Sequence, residues 1–152
     1  MIFNPQTANT LAQLYDQDYY LWLVQTAYLL KNKQLTQLDI DHLFEEIADI
    51  GKREKRALIS NLEILLMHLL KYQYQPENRS NSWRYTIFEH RDRIEKQFND
   101  SPSLKSYFLE NFDAAYTKAR QKAAIETGME LELFPNTCPF SPENTLDSEF
   151  LP

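Results

Sequence analysis

Glycine, cysteine and long apolar runs are all scarce in this 152-residue, 18.1 kDa chain. Two glycines cannot build a Gly-rich phosphate loop or a Gly-x-Ser-x-Gly nucleophile elbow, and no His-Glu-x-x-His occurs, so the commonest catalytic templates are missing. With seven prolines, five of them from Pro102 onward, turn signals are too few for a many-stranded sandwich or barrel. The single cysteine, Cys138, has no intrachain disulfide partner and no neighbouring cation to activate its thiol. The most apolar stretch, Ile64 to Leu70, contains His68 and falls far short of the ~20 residues of a membrane-spanning helix. The start Met-Ile-Phe-Asn-Pro lacks the basic region and apolar run of a secretory signal, so the expected address is cytoplasmic.

A basic excess is lacking too. The net charge is -6, and it is carried by the end of the chain, where Glu126, Glu130, Glu132, Glu143, Asp147 and Glu149 occur with no Lys or Arg. Binding to nucleic acid needs an excess of cations to neutralise phosphates, so a nucleic-acid partner is not expected. The one dense basic group, Lys52, Arg53, Lys55 and Arg56, alternates with Asp49 and Glu54 as on a solvated, self-paired helix face.

What the chain does have is helical periodicity. Tyr15, Tyr19, Leu23, Ala27 and Leu30 form a stripe that predicts a first helix over roughly 16–32, after a lead-in turn from Thr10 to Leu14. Asp39 suits an N-cap ahead of Ile40, Leu43, Ile47 and Ile50, and the stripe resumes through Leu58, Leu62, Leu65, Leu69 and Tyr72. An unbroken helix over 40–73 would be about 50 Å long, more than the span of one compact body this size, so a kink or break is expected near Gly51. The segment Leu62 to Leu70, apolar nearly all round, reads as a central helix or an oligomer face.

Ser80 or Ser82 suits the cap of a helix whose inner stripe is Trp83, Ile87, His90, Ile94 and Phe98. Ser101 and Pro102 read as the cap and first position of another, with Leu104, Phe108, Phe112 or Ala115, and Ala119 inward and Gly128 closing it. After Met129 the prolines prevent long helices. Leu131, Leu133, Phe134, Phe140, Leu146 and Phe150 are still too apolar for a free tail, so this segment is expected to wrap over the bundle, with at most one short turn of helix opened by Ser141-Pro142. The expected fold is all-α: a single domain over 1–152, a bundle of four to five helices over about 10–128, and an irregular acidic wrap over 129–152.

Several strings resemble a known family: LYDQDYYLWL (14–23), LDIDHLFEEIADIGKREKRALISNL (38–62), LLMHLLKYQYQP (65–76), SNSW (80–83), SPSL (101–104) and ETGMELELFPNTCPF (126–140). Together they are similar to bacterial proteins, abundant in cyanobacteria, catalogued as domain of unknown function number twenty-nine. The resemblance implies a small helical cytoplasmic fold. It implies no activity and transfers no catalytic residue.

Three constellations could carry chemistry. His42, Glu46, Asp49 and Arg53 share one flank of a helix and offer imidazole and carboxylate ligands, although three ligands from one helix cannot surround an ion. His68, amid Ile64 to Leu70, and His90, on an inner stripe, could approach each other with Glu46 or Tyr72 as a general base poised near neutral pH, or be satisfied core histidines. Arg84 with His90 fits the loose Arg-x(4 to 6)-His signature that resembles HEPN-type ribonucleases, but six steps along a helix leave the two about 120° apart. The catalytic candidates are therefore His68, His90, Arg84, Arg91 and Glu46, and the weak metal candidates His42, Glu46 and Asp49. No cofactor is expected. The aromatics Tyr19, Tyr20, Trp22 and Tyr28 exceed what one buried stripe needs and suit an interface. The leading expectation is a non-enzymatic, adaptor- or antitoxin-like module with a protein partner or a homo-oligomeric state. The alternative is a HEPN-like ribonuclease or metal-dependent hydrolase.

Overall fold

The computed structural model describes residues 10–152, and the reading of the Met1–Pro5 start lies outside them. The described residues are all-α, with six helices: α1 (Leu11–Gln17), α2 (Tyr19–Lys31), α3 (Ile40–Tyr74), α4 (Asn81–Asp100), α5 (Leu104–Thr127) and α6 (Pro142–Leu146). They fall into two compact units that divide between Lys52 and Arg53.

In the N-terminal unit, local polar groups decide where helices begin and end. Thr10 and Gln13 form a reciprocal capping box, the Thr10 Oγ1 accepting from the Gln13 N–H at 3.3 Å and the Gln13 Oε1 from the Thr10 N–H at 2.9 Å. The helix expected over 16–32 is α2, starting at Tyr19, and the expected lead-in turn is a helix of its own, α1, that runs on to Gln17. Asp18, at φ -151°, donates its N–H to the Leu14 carbonyl to close α1, and its carboxylate accepts from the Leu21 N–H at 3.0 Å to open α2. α2 ends with Lys33 in the left-handed region at φ 56°. There the Lys33 N–H reaches Leu30 O and the Gln34 N–H reaches Leu29 O, the paired closure usually built on glycine. A short tight turn at Leu35–Gln37 leads to Asp39, which caps α3 through the His42 N–H.

The expected break at Gly51 does not occur. α3 runs unbroken for 35 residues, and a Cβ at Gly51 would meet nothing within 4 Å. The span limit applies to a helix confined in one body, whereas the first turns of α3 belong to one unit and the rest to the other. The stripe in α2 also differs from expectation. Trp22 and Thr26 turn inward, and Leu23 and Ala27 lie exposed, because the Trp22 indole N–H finds a partner in Asp39.

The C-terminal unit has a dense core. Leu58, Leu62, Leu65 and Leu69 of α3 pack with Ile87 and Ile94 of α4 and with Phe108, Phe112, Ala115, Tyr116, Ala119 and Ala123 of α5. Ser80 caps α4 through the Trp83 N–H at 3.2 Å, and Gly128 closes α5 at φ 70°. α5 begins later than Ser101-Pro102 suggests: Leu104 and Lys105 donate to Ser101 and Pro102 across a tight turn, which leaves the regular helix to start at Leu104.

Residues 129–152 wrap this unit. Phe134 and Phe140 enter the core, and Ser141 caps α6 through the Asn144 N–H. Carbonyls in irregular backbone have no ladder partners, so side chains supply donors. Tyr116 Oη reaches Pro135 O at 2.5 Å, Arg120 Nε reaches Phe134 O at 2.9 Å, and Arg91 Nε reaches Thr145 O at 2.8 Å.

Candidate functional site

The polar chemistry of the two units is different. In the N-terminal unit a polar and aromatic cluster joins α1 and α2 to the start of α3. The His42 ring stacks on Tyr15, with centroids 4.0 Å apart and planes within 10°, and its Nδ1 lies 2.5 Å from Asp39 Oδ2. The same carboxylate oxygen accepts from the Trp22 indole at 3.1 Å. Tyr15 and Tyr19 donate to the two oxygens of Glu46 at 2.6 and 2.7 Å.

These bonds set the protonation states. The hydrogen bond to Asp39 raises the His42 imidazole above its ordinary value, against a smaller loss of solvation. Burial alone would raise the Asp39 carboxyl, but hydrogen bonds from His42 and Trp22 outweigh it and hold the group below its usual range. The bond to Glu46 pushes the Tyr15 phenol up to about 12. His42 and Glu46 of the expected metal-ligand row are thus engaged with Asp39 and with the two tyrosines. No group of three or more His, Cys, Asp and Glu side chains among the described residues could hold a metal ion.

The face of α3 turned away from this cluster is apolar and bare. Ile40 is 59% exposed, Phe44 70% and Ile47 62%. On α2, Tyr20 is 76% and Tyr28 61% exposed, and Leu23 and Val24 lie open between them. Of the four aromatics expected at an interface, Tyr20 and Tyr28 are strongly exposed and Tyr19 partly so, while Trp22 is fully buried.

In the C-terminal unit both histidines are turned to structural partners. His68 Nδ1 lies 2.9 Å from the Ile64 carbonyl of its own helix, and His90 Nδ1 lies 2.8 Å from Asn61 Oδ1. Burial lowers both imidazoles, and a charged Arg93 or His68 would lower His90 further. Arg84 leans away from His90 to the Tyr72 hydroxyl at 3.3 Å. Arg91 is buried and spends its donors on Thr145 O and, at 3.3 Å, Asn144 O. Arg84 and Arg91 do line one shallow pocket of about 210 Å³, beside Asp92, Glu95, Leu146 and Leu151, but neither histidine reaches it. Glu46, the fifth catalytic candidate, belongs to the other unit. Leu62 to Leu70, expected as a central helix or an oligomer face, is central: Leu62, Leu65, Leu66, Met67, Leu69 and Leu70 are all buried.

The family described as Domain of unknown function DUF29 matches residues 14–151. The chain belongs to this family. No curated protein and no solved structure matches it.

Two features of this DUF29 chain carry no signal in its sequence. Lys71, in a nearly apolar stretch of α3, is buried with its Nζ 2.5 Å from Glu126 Oε1 and 4.5 Å from the Trp83 ring centroid. Asn61 is the partner of His90. Both pairings link residues far apart in the chain, which helical spacing does not report. The Trp22 to Asp39 bond has a readable signal, because a buried indole needs an acceptor and Asp39 suits a helix start. No helix among the described residues is long and apolar enough to cross a membrane.

Proposed function

We propose that this chain is a non-enzymatic protein-interaction module whose contact surface lies on the N-terminal unit. The observation that carries this reading is the distribution of bare apolar side chains. Among the described residues up to Lys52, only Trp22 and Thr26 are buried, while Tyr20, Val24, Tyr28, Ile40, Phe44, Ile47 and Ile50 face solvent. Exposed apolar surface of this kind marks association surfaces, and aromatic residues contribute the most binding energy there. The engagement of His68, His90, Arg84 and Arg91 in separate internal bonds supports a structural role for them.

The test is light scattering after size exclusion of the chain recovered from its own host cells, beside Tyr20→Glu and Phe44→Glu. The expected result is a species larger than the 18.1 kDa monomer, shifted to monomer by either substitution. A companion-free monomer at every concentration would overturn the reading.

A further inference from the structure

The bare stripe on α3 has a charge pattern that narrows what it accepts. With Ile40 at zero and ~100° per residue, Phe44, Ile47 and Gly51 all fall within about 40° of it, a continuous seam along the helix. Gly51 leaves the seam open at its C-terminal end, where nothing lies within 4 Å of a would-be Cβ. Ile50 widens the seam on one side. On the other flank stand two acids, Asp41 and Glu45, before the small residue Ala48, and a base, Lys52, after it. All three charged residues are exposed, and Lys52 has an ion pair to Asp49 only at 3.7 Å.

We infer that this seam is the seat for the same seam of a second copy of the chain, the two α3 helices running antiparallel about a two-fold axis near Ala48. This inference rests on the interaction-module reading and names its partner. In a parallel pair each flank faces the opposite flank of the partner, so Glu45 and Lys52, which share one flank, would not meet. The antiparallel one sets like flanks together, so Glu45 of each copy faces Lys52 of the other, twice over by symmetry, while Ile47 of each copy lies beside Ile50 of the other and Phe44 lies beside the open Gly51. Positions 45 and 52 are nearly equidistant from Ala48, which is what an isologous contact needs: the same two residues complement each other in both directions. A single helix pair lies at the small end of stable interfaces, so association is expected at a Kd on the order of 10 µM.

The experiment is sedimentation equilibrium of the purified full chain, from about 1 to 300 µM so that the expected Kd is bracketed, for the wild type and four variants: Ile47→Glu, Glu45→Lys, Lys52→Glu, and Glu45→Lys with Lys52→Glu together. Circular dichroism checks each fold, and all three positions are exposed within the chain. The wild type is expected to dimerise. Ile47→Glu should weaken the dimer by about 30-fold or more. Each single charge reversal should weaken it about 10-fold, and the double reversal should restore it to within about threefold of wild type. A wild type that stays monomeric overturns the inference. So does a dimer indifferent to Ile47→Glu, or one weakened more by the double reversal than by either single. If the purified chain is monomeric but the complex from host cells is broken by Phe44→Glu, the second copy is excluded and the interaction-module reading stands. If neither association exists, both fall.

Discussion

The two ends of α3 carry one apolar stripe and meet opposite surroundings. Leu58, Leu62, Leu65 and Leu69 are sealed by α4 and α5, whereas Ile40, Phe44 and Ile47, in phase with them on the same helix, face water. In the N-terminal unit the inward flank of α3 is the polar one, where Asp39, His42 and Glu46 hold Tyr15, Tyr19 and Trp22 by hydrogen bonds and stacking. The difference teaches that amphipathicity tells which face is apolar without telling whether this chain covers it. One end uses its stripe for its own stability, and the other keeps it available.

The sharpest way to break that comparison is to truncate one residue at each end of the stripe. Leu65→Ala should cost about 3 kcal/mol of stability in chemical denaturation, because it opens a cavity among fully buried neighbours. Ile47→Ala, on the same face, should cost less than about 0.5 kcal/mol at concentrations where the chain is monomeric. Equal costs would mean that the bare end is covered after all.

Gly51 offers a smaller and opposite effect. It sits inside a continuous helix, with neither positive φ nor close neighbours, so Gly51→Ala should raise stability by about 0.5–1 kcal/mol. A loss on this substitution would revive the break that the glycine suggests by itself.

The smallest effect separates the units by pH. The folded value of His42 is raised, so its contribution is complete below the ordinary 6.5 and is lost as pH rises through the folded value. His68 and His90 are lowered, so theirs is complete above 6.5 and is lost as pH falls through their folded values. Hydrogen exchange between pH 5 and 8, corrected for intrinsic rates, should show protection around His42 declining toward the alkaline end and protection around His68 and His90 declining toward the acid end. Parallel trends in both places would contradict the assigned partners.

The C-terminal unit was largely legible because its signals are local. Ser80, Gly128 and Ser141-Pro142 act within a turn of their own positions, and the Ile87, His90, Ile94 spacing records a face that other helices cover. The N-terminal unit was less so. Asp18 splits one periodic run into two helices by serving both as the end of the first and as the cap of the second, and periodicity does not see a residue that is out of helix for a single step. Spacing leaves Trp22 open between an interface and a covered position, since its burial depends on Asp39, seventeen residues on. Of the candidate site, the exposure of Tyr20 and Tyr28 was readable. The bonds that turn His68, His90 and Arg91 to Ile64, Asn61 and Thr145 were not, because two of those three cross between elements.

The rings of Phe134 and Phe140, and the arginine clasps on Phe134 and Thr145, have a consequence for biogenesis. Made on the ribosome from its amino end, the chain has all the helical pieces of the first unit while the second still lacks the plugs that close its core. During translation the leucine end of α3 therefore starts as bare as the isoleucine end, and it is covered in steps, by α4, by α5 and last by the proline-rich segment.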